Sequence, residues 1–484
     1  MTPAAEKALW TAEAASAATG GSGEGTWTAT GVAIDSRAVE PGDLFVAIKG
    51  PRFDGHDFAA DAFAAGAAAA VVVRRPDGVT ADAPLVEVAD TDRALSDLGR
   101  AARDRAQARV VAVTGSVGKT GTKEMLRLVL DDQAPTTASD GSLNNHWGVP
   151  LSLARMPADA AFGVFEIGMN HPGEIGPLAR MAKPHVALVT NVEAVHGAFF
   201  DSVDAIADAK AEIFEGLEPD GTAVLNRDNA QFERLKAAAE AAGAGTIIGF
   251  GTDAEADVRA TDVRVDSEGS DVDAVVSGAA LAYRLGVPGR HWVMNSLAVL
   301  AAVGAAGGEV GPAAEAMARV SALKGRGRRH TVEMPDGSFV VIDESYNASP
   351  VAMNAAFQVL GQIQPEGGGR RIAVLGDMLE LGDESAAGHA ALVEGLIAER
   401  INLVFAAGPN MSALWDVLPR SMQGGNASSA ARLEPLVKAA VRPGDVVLIK
   451  GSAGSRTGPI VDALLALGRP CGAGPDDRQQ AVNG

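Results

Sequence analysis

A single cysteine, Cys471, stands among 484 residues. That excludes an internal disulfide framework and fits a reducing compartment. Aromatic residues make up only 4% of a chain that is 47% hydrophobic, so its cores must be built largely from Ala, Val and Leu. Long apolar runs are missing as well. Ala62–Val73, the longest, is Ala-rich and falls well short of the about 20 residues that span a bilayer. Met1–Thr30 lacks a basic start followed by an apolar segment, so no secretory leader is expected. Positive charge is also scarce: 41 Lys and Arg face 61 Asp and Glu, a formal net charge of −20. Non-specific nucleic-acid binding is thereby disfavoured. Any anionic substrate must be met by local groups of Lys and Arg. A soluble cytoplasmic protein without membrane insertion is the expectation, and the length suits about three domains.

What is present centres on Val110–Leu130. Four small or β-branched apolar residues make a short buried strand, Thr114-Gly-Ser-Val-Gly-Lys-Thr120 makes a glycine turn, and a helix-periodic run follows at once. Such a turn aims backbone N–H groups and the positive end of a helix dipole at one spot. Lys119 adds a cation, and the Thr120 hydroxyl can ligate magnesium. Gly115, Ser116, Val117, Gly118, Lys119, Thr120 and Gly121 are therefore expected to cradle the phosphates of a nucleoside triphosphate. The full P-loop pattern would have Gly or Ala at the position of Val113.

Around this loop the spacing predicts an α/β protein. Residues 1–105 read as a small α/β domain with a helix around Glu6–Ala15, a strand at Leu44–Ile48, a helix over Asp57–Ala69 and a helix over Leu95–Gln107. Residues 106–324 alternate strand and helix as a doubly wound sheet, then turn to a small β segment at 253–288. Lys324-Gly-Arg-Gly-Arg-Arg-His330 is a basic, glycine-flexible hinge. Residues 325–484 form a third, Rossmann-like α/β domain, with strands near Phe339–Ile342, Arg371–Leu375, Leu403–Ala407 and Val446–Ile449. No Gly-x-Gly-x-x-Gly lies between a strand and a helix there, so a dinucleotide site is not supported.

Several polar residues sit where ligands meet α/β sheets. Glu166 ends an apolar strand and can reach magnesium beside Thr120, or be a buried carboxylate paired with a cation. His196 follows another strand, where a metal-ligating and a purely structural imidazole both fit. Lys210 lies on a helix that is otherwise apolar on one side, from which an ordinary lysine snorkels to solvent. Asn144 and Asn145 supply amides from the polar loop Gly141–Gly148. Asp343, Tyr346 and Asn347, in Asp343-Glu-Ser-Tyr-Asn-Ala-Ser-Pro350, can grip ribose, phosphate or an amine, or merely turn the chain. Ser36, Arg37, Lys49, Asp54 and His56 occupy strand ends and loops of the first domain.

The combination resembles the Mur ligases of peptidoglycan synthesis, ADP-forming amide synthetases. The likeness rests on Thr114–Thr120, Asn144-Asn-His-Trp-Gly-Val-Pro150, Glu166-Ile-Gly-Met-Asn-His-Pro-Gly-Glu-Ile175, Asn347-Ala-Ser-Pro350, Leu375-Gly-Asp-Met-Leu-Glu-Leu-Gly382 and Lys450-Gly-Ser452. Asp35-Ser-Arg37, Lys49-Gly50 and Asp54-Gly-His56 resemble a uridine-nucleotide domain of that family. Ser345-Tyr-Asn-Ala-Ser-Pro350 is similar to the members that add a dipeptide. One departure stands out: Gly289-Arg-His-Trp-Val-Met-Asn295 has Trp292 where the family commonly has Asn, while Asn295 fits the second Asn of that pattern.

The resemblance implies that ATP phosphorylates the terminal carboxylate of UDP-N-acetylmuramoyl-tripeptide and that D-alanyl-D-alanine attacks the resulting acyl phosphate. It implies Mg2+ held by Thr120, Glu166, His196 and a carbamylated Lys210. It places Asp343 and Asn295 against ATP, and Ser36, Arg37, Lys49, Asp54 and His56 against the uridine nucleotide. Asn144, Asn145, Tyr346 and Asn347 would meet the substrates. A hinge cation, Arg328 with Arg326 and Arg329 as its neighbours, would meet the phosphate. Lys119, Lys210, His196, Arg328 and Asp343 form the implied catalytic set, in a monomer. A folylpolyglutamate synthase-like ligase and a P-loop switch that gates partners are the competing readings.

Overall fold

Runs of Val, Ile and Ala with no polar interruption become strands where helices can cover both faces. The computed structural model describes residues 8–23, 25–194 and 199–471. They form three α/β domains, each built on its own sheet.

The first sheet has five strands in the order Ser22–Gly23, Leu85–Glu87, Ala69–Val72, Asp43–Val46 and Gly31–Ala33. Its covering helix, Thr91–Arg105, starts where the Asp90 carboxylate accepts the Arg93 N–H at 3.0 Å, a standard N-cap. That helix also ties the domain to its neighbour. Buried Arg103 donates to the carbonyls of Ala182 and Lys183, both at 2.8 Å. Trp10 Nε1 donates to the Ala154 carbonyl at 3.0 Å from the other side.

The central sheet has nine strands, with Arg109–Thr114 between Phe162–Glu166 on one side and Val186–Val189 on the other. Pairing is parallel from Thr136–Ala138 across to Val258–Val265, and antiparallel in the hairpins 258–285. Chain connections therefore diverge at Arg109–Thr114, and the crevice at the carboxyl ends of the strands opens there. Two apolar clusters, one per face, sandwich the sheet. The third sheet has seven strands, and its parallel part brings together the ends of Gly337–Glu344, Arg371–Gly376 and Val446–Lys450.

Three local expectations need correction. Among the described residues the first helix is Ala12–Thr19, where Thr11 caps the start and Gly20 leaves it at φ 65°; the start of the expected helix around Glu6–Ala15 lies outside the described residues. Asp57–Ala69 divides into a 3-10 turn at Gly55–Phe58 and a short helix at Ala59–Ala64. The basic hinge is confined to Lys324–Gly327, since Arg328 already opens the strand Arg328–Met334. The edge strands Thr136–Ala138 and Gln423–Ala427 and the helix Gly148–Ala154 were not foreseen. No helix among the described residues is long and apolar enough to cross a membrane.

Candidate active site

Sheet order assembles the site. The loop leaves the carboxyl end of Arg109–Thr114, with Glu166 paired to Val113 on one flank and Val189 paired to Thr114 on the other. Gly115 has φ 148°, and a Cβ there would fall 1.9 Å from Thr190 Oγ1, so no side chain fits. Thr190 Oγ1 in turn donates to the Val117 carbonyl at 2.6 Å, and Ser116 N–H donates to the Asn191 carbonyl at 2.8 Å. Gly118 turns the chain at φ 86° into the helix Lys119–Asp131, with Asn295 packed against its Cα. The loop is thus held from both sides before any ligand arrives.

Lys119 Nζ donates to the Gly115 carbonyl at 2.6 Å, curled over its own loop. Burial lowers its pKa, Glu166 opposes that shift and Arg326 reinforces it. Thr120 Oγ1 donates to Glu166 Oε2 at 2.8 Å, and Asn144 Nδ2 donates to Glu166 Oε1 at 2.7 Å. A hydroxyl and a carboxylate beside a phosphate loop are the hard oxygen donors that suit Mg2+, which takes its remaining ligands from phosphate and water. Among the described residues no group of three His, Cys, Asp or Glu side chains forms a complete metal cage.

These groups line a cavity of 810 Å³ between the central and third domains. It includes Ser116, Val117, Gly118, Lys119, Thr120, Gly121, Asn144, Asn145, Glu166, Asn295, Tyr346 and Asn347 of the expected residues. From the third-domain side come Arg326, one of the three hinge arginines considered for the phosphate, and two groups given no role from the sequence, Glu344 and Lys450. Lys450 Nζ is buried and lies 3.0 Å from both Glu344 Oε2 and the Asn347 carbonyl. Their signal was present, since Glu344 adjoins Asp343 and Lys450 ends an apolar strand. His291 faces the same pair. Burial lowers its pKa, Glu344 raises it and Lys450 lowers it.

Other expected residues lie elsewhere. Lys210 is 2% exposed and lies outside the lining. Burial, then the Lys119 cation, push its pKa well below the usual lysine value. It therefore does not snorkel. Asp343 is buried, and its carboxylate accepts from Gly325 N–H at 2.8 Å and Ser345 Oγ at 2.6 Å. It shapes the turn that carries Arg326 and is not a lining residue. Arg328 sits opposite Asp343 in the strand pair, away from the lining, and Arg329 donates to the Ser267 carbonyl. Arg326 is the hinge arginine that reaches the cavity.

The first domain's residues are separate from this cavity. His56 is buried, with Nδ1 2.6 Å from Asp54 Oδ1 and Nε2 accepting the Val73 N–H at 2.8 Å. Both are committed to holding a turn against the strand end. Arg37 pairs with Asp35 and is exposed, as is Lys49, while Ser36 opens a 3-10 turn. His196 lies outside the described residues.

Comparison with known proteins agrees along the chain. Residues 28–103 match the Mur ligase family, catalytic domain; 113–303 the Mur ligase middle domain; 327–453 the Mur ligase, glutamate ligase domain. The UDP-N-acetylmuramoyl-tripeptide–D-alanyl-D-alanine ligase of Escherichia coli is 35% identical over 444 residues, covering 91% of this chain and 95% of that protein. The Bacillus subtilis protein of the same name is 35% identical over 439 residues, covering 90% and 93%. MurF from Acinetobacter baumannii superposes with a TM-score of 0.81 at 31% identity, over 94% of this chain and 99% of that one.

Proposed function

The chain belongs to the Mur ligase family, and from that premise we propose that it joins D-alanyl-D-alanine to UDP-N-acetylmuramoyl-tripeptide, converting ATP to ADP, in the cytoplasm. The observation that carries the proposal is one cavity lined by the phosphate loop, Thr120 and Glu166 on one wall and by Arg326, Glu344 and Lys450 on the other. A reaction that must gather a triphosphate, a carboxylate and an amine needs such a two-walled, cation-rich site.

Forming an amide from a carboxylate in water is uphill, so the carboxylate needs activation. The tripeptide's terminal carboxylate oxygen bonds to the γ-phosphorus as the bond to the β-phosphate oxygen breaks. The dipeptide amine then bonds to the acyl carbon, loses its proton, and inorganic phosphate leaves. Lys119, the loop N–H groups and Arg326 supply fixed positive charge where oxygen charge accumulates. Thr120 and Glu166 would hold Mg2+, which when bound neutralises phosphate charge. The two walls orient the reactants and exclude water that would hydrolyse the acyl phosphate.

Lys210 is the residue whose state matters most. Burial and the Lys119 cation, by lowering its pKa, favour the neutral amine that reacts with CO₂, and the carbamate formed, with release of a proton, carries negative charge and two oxygens. Its burial and depressed pKa support this modification. The first domain, through Arg37 and Lys49, would bind the uridine nucleotide.

Phosphate release should require ATP and both acceptor substrates together, with a product heavier than the UDP-tripeptide by one dehydrated dipeptide. Equal phosphate release with either substrate omitted would defeat the proposal.

A further inference from the structure

The segment 139–148 touches all three domains. Buried Lys123, on the helix that follows the phosphate loop, pins its start: Nζ donates to the carbonyls of Ser139 at 2.6 Å and Gly141 at 3.0 Å. Asn144 in its middle holds Glu166. Trp147 Nε1 near its end donates to Asp92 of the first domain. On the side facing the third domain, the Ser142 hydroxyl meets the Tyr346 hydroxyl. The Tyr346 ring lies under Arg326, whose guanidinium carbon is 4.1 Å from the ring centroid. Tyr346 is joined to the turn below it as well, its N–H donating to the Gly325 carbonyl at 3.1 Å.

We propose that Ser142 and Tyr346 form a clasp between the central and third domains that positions Arg326 against the phosphate loop. The clasp rests on the ligase reading above. Ser142 is on a segment that Lys123 and Asn144 hold fixed, so it is a stationary post. Tyr346 belongs to the third domain and carries Arg326 on its ring face by a cation–π contact. With the hydroxyls in contact, Arg326 and Lys119 line the same cavity from its two walls. In this proposal each hydroxyl is spent on the other rather than on a substrate, in place of the substrate contact that the resemblance implied for Tyr346. They are positioning residues, and they act through Arg326.

The test is a cycle of Tyr346→Phe, Ser142→Ala and the double variant, with full ligation kinetics and thermal unfolding of each. Tyr346→Phe keeps the ring under Arg326 and removes only the hydroxyl. Each single variant should lower kcat about three- to tenfold, the effect of one net hydrogen bond, with KM for the UDP-tripeptide unchanged. The double variant should be no worse than either single, because both remove one interaction. Ser142→Thr should restore kcat, and Tyr346→Ala should cost more than Tyr346→Phe. Losses that multiply in the double variant, a single variant with wild-type kcat, or a rise in KM at constant kcat would each overturn the clasp. Wild-type protein that fails to ligate would instead refute the ligase reading.

Discussion

The cavity beside the phosphate loop and the Asp54–His56 corner of the first domain are both polar clusters built after strands. In the cavity, Lys119 and Thr120 from a helix start, Glu166 from a strand end and Asn144 from a loop meet facing open space. In the corner, His56 has both ring nitrogens engaged, one by Asp54 and one by the Val73 backbone. The first arrangement leaves donor capacity for a ligand; the second is closed on itself. A motif residue is a binding group only if the fold leaves its polar atoms unspent, and the two regions should answer mutation in opposite ways.

The largest effect belongs to the cavity. Lys119→Ala should lower kcat by about a thousandfold, as expected for removing a charge aimed at developing oxygen charge. Its unfolding midpoint should not fall, since a half-buried amine with a depressed pKa adds little to the fold. Steady-state kinetics and a melting curve check both halves.

Lys210→Met should come next, with kcat lower by about a hundredfold. In CO₂-depleted buffer its melting temperature should exceed that of the parent. The folded-state pKa lies below the unfolded one, so the unfolded state binds the extra proton and the penalty on folding grows as pH drops below the unfolded pKa. The gain from Met is therefore larger at pH 7 than at pH 9. A melting temperature lowered by the substitution would contradict the neutral buried amine.

His56→Ala reverses the pattern. It leaves the Val73 N–H and the Asp54 carboxylate without their partner and should cost about 1–3 kcal/mol of stability, read by denaturant unfolding. KM for the UDP-tripeptide should change by less than about threefold in protein that remains folded. A large KM change without loss of stability would make the corner a binding site after all.

The contrast also marks what sequence can disclose. Strand–turn–helix periodicity exposed the phosphate loop because every link is local: Gly115 and Gly118 set the turn and Lys119 follows directly. Glu166 was legible because it ends an apolar strand in a parallel sheet. Arg326 was not separable from Arg328 and Arg329, since the register of Arg328–Met334 against Gly337–Glu344 decides which arginine leaves the sheet. Asp343 and His56 looked like ligand groups because sequence shows a side chain's chemistry but not which backbone N–H groups it already serves. The helix Ala12–Thr19 was displaced because its boundaries rest on the Thr11 cap and the Gly20 turn rather than on apolar spacing.

The central claim is that the two anionic substrates are met by different domains, the triphosphate by the loop and the uridine nucleotide by exposed cations of the first domain. Calorimetric titration of a non-hydrolysable ATP analogue and of UDP-N-acetylmuramoyl-tripeptide into Lys119→Ala and Lys49→Ala tests it most directly. Lys119→Ala should lose the ATP analogue and keep the UDP-tripeptide, whereas Lys49→Ala should bind the UDP-tripeptide about tenfold more weakly, as for one charge-assisted contact, and keep the analogue. Either variant weakening both ligands equally would contradict the account.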